Sequence, residues 1–195
     1  LKQKRDPNIR VKSRIDTVRD VKIVTQDMTK SKKNIIKNFE NPSNEREYLL
    51  AKLKLKQREK ESLVKGDFLE FVKHMWPEFI EGYHHKIIAE KFNKLARGEI
   101  KRLIVNMPPR HTKSEFASNY LPAWMIGQNP KLKIIQTTHT AELAVRFGRK
   151  AKNLIDSPEY QEVFKTKLQE DSKAAGRWET EGGGEYFAAG VGGAI

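Results

Sequence analysis

The 195-residue sequence contains no cysteine. That absence excludes disulfides, thiolate zinc sites and a cysteine nucleophile, and it fits a reducing compartment. No stretch approaches the roughly 18 apolar residues that a membrane span needs, and no short apolar segment with a small-residue cleavage site stands near Leu1. Apolar residues supply only 37% of the chain and charged residues 32%, so a core has to be concentrated in part of the sequence. At about 100 to 200 residues per domain, the length allows one full domain with a short extension. The sequence opens on Leu1 rather than Met and stops at "GVGGAI", just past a glycine-rich turn. It reads as a fragment of a larger protein.

What the chain does have is positive charge, a net of +13. Residues 1–65 hold 19 Lys/Arg against 9 Asp/Glu, whereas residues 66–195 hold 19 against 16. The excess therefore belongs to the N-terminal third. Such a balance favours polyanions, nucleic acid ahead of an anionic membrane surface.

Residues 1–44 are rich in Lys, Arg, Asn, Ser and Asp and carry isolated apolar residues such as Val21, Ile23 and Val24, the pattern of a flexible or partner-ordered arm. From Glu45 to Val64, Leu49, Leu50, Leu53 and Leu63 interleave with Lys52, Lys54, Lys56 and Arg58. This suits a basic amphipathic helix, either a solvated connector or a face for DNA or another partner. Gly66-Asp67 supplies a stop and an N-cap, and Phe68, Leu69, Phe71, Val72 and Trp76 form an apolar face that Pro77 ends. A second helix is expected from Tyr83 to Ala96, with Gly98 as its stop. Then come a strand at 102–106, a loop at 107–113, a helix from Lys113 to Ile126, a strand from Leu132 to Thr137 and a helix from Thr140 to Ile155. This alternation predicts a parallel sheet covered on both sides. Further on, Pro158 to Phe164 suits a short helix, Glu170 to Gly176 is polar, and Trp178 to Ala189 reads as a hairpin turning at Gly182-Gly183-Gly184.

The stretch "NMPPRHTKSE", residues 106–115, sits at the predicted strand-to-helix junction. A phosphate-binding loop needs inward backbone N–H groups, a lysine for the β/γ-phosphates, a hydroxyl for Mg²⁺ and a helix N-terminus facing the anion. Lys113 and Ser114 end the pattern G-x-x-x-x-G-K-[ST] in place, but Met107 and Thr112 stand where it has glycine. Thr112 is the sharper departure, because a β-branched residue resists the backbone conformations that glycine takes. Either the loop is reshaped or the motif is false.

The runs "LIVNMPPRHTKSE", "IIQTTHTAELAVRFGRKAKNLID" and "GGGEYFAAGVGGAI", taken in that order, resemble the ATPase portion of the large terminase subunit of tailed bacteriophages, the motor that packages DNA into procapsids. The resemblance covers residues 66–195. In that family the loop often reads P-P-R-H-G-K-S-E, so this chain keeps Pro108, Pro109, Arg110, His111, Lys113, Ser114 and Glu115 and departs at Thr112. The resemblance implies a P-loop NTPase-like α/β fold, an incomplete parallel sheet with flanking helices, at residues 66–195. A basic, partly disordered or helical N-terminal arm precedes it at residues 1–65.

The implied cofactors are ATP and Mg²⁺. Lys113 neutralises the β/γ-phosphates, Ser114 holds Mg²⁺, and Arg110 stabilises charge on the γ-phosphate unless a salt bridge to Glu115 occupies it. Pro109, His111 and Thr112 complete the loop, with His111 a donor or spacer. Tyr83-His84-His85 takes the place of an adenine-contacting segment in similar motors; packing at a helix N-terminus is the alternative, and no Cys, Asp or Glu at plausible spacing supports a metal there. Thr138 and His139 lie where such motors couple nucleotide to DNA, although Thr138 or Thr140 can also simply cap a helix. Arg146 and Arg149, with Lys150 and Lys152, make the following helix basic, for phosphate-backbone contact or solvation. The family's second acidic motif would begin just past Ile195, and its nuclease domain is likewise not in this sequence. The fragment alone is therefore expected to bind nucleotide poorly and hydrolyse it hardly at all. The implied partners are double-stranded DNA, the portal protein, the small terminase subunit and further copies in a ring, in the host cytoplasm and at the procapsid portal. The rivals are a helicase-like ATPase and a non-hydrolysing DNA-binding packaging adaptor.

Overall fold

Asp67 stands between the first two described helices. In the computed structural model, which describes residues 45–192, its carboxylate accepts from the N–H groups of Leu69 and Glu70 at 2.9 and 3.0 Å and caps helix α2, Phe68–Met75. The preceding helix α1 spans Glu45–Gly66, and contacts divide the chain inside it, between Lys56 and Gln57. On the first side, the described residues present Leu49, Leu50 and Leu53 to solvent. The arm expected at residues 1–44 lies outside the described residues.

On the second side, α3 spans Tyr83–Ala96 and ends where Gly98 turns at φ 72. The buried Asn93 of α3 ties it to α2, since its Oδ1 accepts from Phe68 N at 2.8 Å and its Nδ2 donates to Asp67 Oδ2 at 2.7 Å. Phe68 packs edge-on against Phe92, Phe116 and Trp124 with ring centroids 5.1 to 5.5 Å apart, so three helices share one aromatic hub.

The helix after the loop begins as α4, Lys113–Glu115, widens to π-helical geometry at Phe116–Tyr120, and continues as α5, Leu121–Gln128. Pro122 explains the widening. It has no N–H and its ring clashes with the carbonyl four residues back, and one wide turn relieves the crowding.

Strand β1 is Lys133–Thr138, followed by α6, Ala141–Ile155, with Thr140 Oγ1 accepting from Leu143 N at 3.3 Å as its cap. Next come α7, Pro158–Phe164, and strands β2, Leu168–Ala174, β3, Arg177–Thr180, and β4, Glu185–Gly190. The sheet order is β1-β4-β3-β2. The α/β class holds, but the sheet is mixed rather than the expected parallel one, because only β1 and β4 pair in parallel while β4-β3 and β3-β2 are antiparallel. Tight turns allow no other outcome for those two pairs, since a parallel pair needs a crossover. The turn at residues 182–184 is the expected one, with Gly183 at φ 86.

Two further differences concern strands. Residues 102–106 join no ladder among the described residues, although burial alternates there and Leu103, Val105 and Met107 pack on the core. Side-chain periodicity records a buried face, but a strand also needs a backbone partner. Conversely β2, whose sequence LQEDSKA is poor in strand formers, forms because β3 completes its ladder.

Candidate functional site: the loop at residues 107–115

Met107 to Glu115 wrap a hollow of about 560 Å³, within the range of small-molecule sites. The backbone inside this short loop is unusual twice over. Arg110 has φ 64, and Thr112 has φ 57 and ψ 4, the left-handed region. Non-glycine residues in this region each carry strain of order 1–3 kcal/mol, and they cluster at ligand clamps. The second of these positions is the one where the phosphate-loop pattern has glycine. Thr112 therefore adopts a backbone conformation that glycine supplies cheaply.

Three hydrogen bonds hold this turn. The Thr112 hydroxyl donates to His111 O at 2.7 Å, and the same oxygen lies 2.7 Å from His85 Nε2. His111 Nδ1 donates to Pro109 O at 2.9 Å, which fixes its tautomer and closes the turn from the other side. The Thr112 side chain does not cap the helix it precedes. The first-turn N–H groups at Lys113, Ser114 and Glu115 thus have no side-chain acceptor from that residue, the condition under which a helix N-terminus accommodates an anion. Lys113 Nζ bends back across the loop to Met107 O, a long contact at 3.4 Å. Ser114 is exposed.

Glu115 does not pair with Arg110. Its Oε1 accepts from Lys150 Nζ of α6 at 2.6 Å, and its Oε2 accepts from the buried Asn119. The Arg110 guanidinium is exposed and enters no salt bridge among the described residues. A second tie joins this helix to the sheet, where Gln136 Nε2 of β1 donates to Ser118 Oγ at 3.2 Å.

Helix α3 presents its first turn to the loop. His84 and His111 have ring centroids 5.5 Å apart. Tyr83 is 79% exposed, so its ring is open to a flat partner. His85 is 5% exposed and sits between Phe79 and Phe116, at 4.7 and 5.1 Å between centroids. Both its nitrogens are engaged, Nδ1 by Gly82 N–H at 2.8 Å and Nε2 by Thr112. Of the expected adenine-contacting pair, only Tyr83 has the exposure for that role, since burial and two internal hydrogen bonds turn His85 to the loop instead. The desolvation of His85, reinforced by neighbouring His84 and His111 and opposed by Glu81, lowers its pKa.

The other expected residues stand apart from the hollow. Thr138 ends β1 and His139 follows it, with Thr138 Oγ1 donating to Thr140 O at 2.7 Å; Thr140, not Thr138, is the cap of α6. Arg146 and Arg149 are exposed on α6. The sequence did not announce the His85–Thr112 and Lys150–Glu115 contacts, whose partners are 27 and 35 residues apart. The only local sign was the threonine in a glycine position, which demanded support from somewhere.

Among the described residues no group of three or more His, Asp or Glu could hold a metal ion. Among the described residues, no helix is long and apolar enough to cross a membrane. Comparison of the chain with protein-family models, curated proteins and solved structures gives no match.

Proposed function

We propose that the loop at residues 107–115 binds the phosphates of ATP and that the chain is part of a DNA-translocating ATPase of the large terminase kind. The observation that carries this reading is the left-handed backbone of Thr112 directly ahead of Lys113 and Ser114. It supports a P-loop over a proline-rich surface turn, because non-glycine residues held in that conformation cluster at ligand clamps.

In this reading, the amides at residues 113–115 and the Lys113 ammonium hold the β/γ-phosphates, and Arg110 supplies a second cation at the γ-phosphate. Lys113 needs only to leave Met107 O, a contact long enough to be given up readily. Mg²⁺, when bound with the nucleotide, would supply neutralising charge, and the Ser114 hydroxyl would be the group that holds it. Tyr83 offers an exposed ring to the base. The Glu115–Lys150 and Ser118–Gln136 contacts lead from the loop to α6 and β1. They give the nucleotide a physical route to Thr138, His139, Arg146 and Arg149, the surface assigned to double-stranded DNA. Portal protein, small subunit and ring assembly belong to the same proposal, as do the host cytoplasm and procapsid portal as its places of action.

The test is titration of a fluorescent ATP analogue with Mg²⁺ into the chain and into its Lys113→Ala variant. Weak but saturable binding that the substitution abolishes is expected. Equal binding by both chains defeats the phosphate site, and the packaging-adaptor alternative, with affinity for DNA but none for nucleotide, then takes its place.

A further inference from the structure

We infer that His85 is a positioning residue for the phosphate loop: through Thr112 it holds the left-handed turn ahead of Lys113 that a glycine would hold unaided. The inference rests on the phosphate-site reading above and adds to it the device that makes a threonine workable there.

The hydrogen-bond directions are fixed by elimination. Gly82 N–H donates to His85 Nδ1 at 2.8 Å, so Nδ1 carries no proton and the neutral ring carries its proton on Nε2. His85 Nε2–H therefore donates to Thr112 Oγ1, leaving the hydroxyl hydrogen for His111 O. The relay runs in one sense from the N-cap of α3 to the loop: Gly82 N–H to His85, His85 N–H to Thr112, Thr112 O–H to the His111 carbonyl. Each donor has one acceptor, and the order breaks if the ring takes a second proton, because Nδ1 then becomes a donor facing Gly82 N–H.

The imidazole can hold Thr112 because it cannot move. Phe79 and Phe116 pack on it, and Phe116 is itself fully buried in the aromatic hub. The charged or titratable groups around the ring are Glu81, His84 and His111. A glycine at residue 112 has no Cβ to strain and no hydroxyl to hold, so the need for His85 is specific to threonine.

A double-mutant cycle reads this directly, with affinity for the Mg²⁺-bound fluorescent ATP analogue as the observable. His85→Ala, which breaks the bond to Thr112, and Thr112→Val, which removes that bond and the one to His111 O, are each expected to weaken binding at least about tenfold, since each leaves a strained turn unsupported. Thr112→Gly is expected to bind at least as well as the parent. His85→Ala added to Thr112→Gly should cost less than about twofold, because residues that act only through each other lose their effect together. A residue that merely fills space would cost the same in either background, and that result overturns the inference. Should His85→Ala fail to fold, Thr112→Val against Thr112→Gly decides alone, since valine keeps the β-branch without the hydroxyl; parental affinity in Thr112→Val overturns the inference. Ring ¹⁵N spectra of the nucleotide-free parent supply a separate check, with the Nε2-protonated tautomer expected and the Nδ1-protonated tautomer fatal. If the parent shows no Lys113-dependent binding, the phosphate reading falls and takes this inference with it; if it does, and Thr112→Val is indifferent, only the role of His85 falls.

Discussion

Lys150 Nζ of α6 lies 2.6 Å from Glu115 Oε1, the carboxylate that follows Ser114 in the loop. Both side chains are partly exposed, so water screens the pair and its static worth is small. What it provides is connection, since the helix carrying Arg146 and Arg149 is held to the segment carrying Lys113 and Ser114. Lys150→Ala is expected to lower unfolding stability by less than about 1 kcal/mol. In the parent, a bound ATP analogue should raise amide protection along α6 in hydrogen exchange. In the variant that increase should vanish, and its persistence would show that another contact carries the coupling.

Gly148 stands inside α6, where replacement by alanine ordinarily gains about 1 kcal/mol of helix stability. Here the sign reverses. A Cβ at this position would lie 2.5 Å from Ala175 O and 3.0 Å from the Tyr186 ring, and Trp178 Nε1 donates to the Gly148 carbonyl at 3.2 Å. Gly148→Ala should therefore destabilise by about 1–3 kcal/mol, as overpacking does. A urea midpoint above that of the parent would refute the close approach.

Stability should fall between pH 7.5 and 5.5. The folded-state pKa of His85 is lowered, chiefly by desolvation and then by His84 and His111, so the unfolded chain takes up the proton first as pH drops. Stability from the neutral ring is present above the ordinary histidine value near 6.5, is lost as pH falls through it, and stops declining below the folded pKa. Glu81 and Glu90 have lowered pKa values, Glu81 through Lys73 and Glu90 through Lys94. Their contribution goes only below about pH 4.5, outside this window. Urea midpoints at the two pH values test the drop, which should shrink in His85→Gln.

Arg146→Ala combined with Arg149→Ala tests the proposed DNA contact of α6. If both side chains meet phosphates, the slope of log affinity for duplex DNA against log salt should flatten by about 1 to 2. An unchanged slope would mean that these arginines are solvated and that α6 is not a DNA contact.

Phe68→Ala removes the ring on which Phe92, Phe116 and Trp124 converge. A loss of about 3–5 kcal/mol in urea unfolding is expected. A loss below 1 kcal/mol would mean that the hub repacks.

Local chemistry by itself determined much of this protein. Asp67, Gly98, Thr140 and Pro158 mark helix ends through caps, left-handed glycine and a fixed proline φ, and these signals act over a few residues without outside help. The glycine run at 182–184 likewise made the hairpin legible. Lys113 and Ser114 were visible as residues that match the end of the phosphate-loop pattern, and the basic N-terminal excess was visible in the composition. Tertiary structure decided the rest. Whether residues 102–106 pair, and whether LQEDSKA becomes β2, depends on a backbone partner distant in sequence. The direction of the sheet was set by which connections were turns and which was a crossover. Most of all, the conformation of Thr112 was settled by His85, 27 residues away. Sequence could say that threonine resists the turn; only the packed imidazole could say what holds it there.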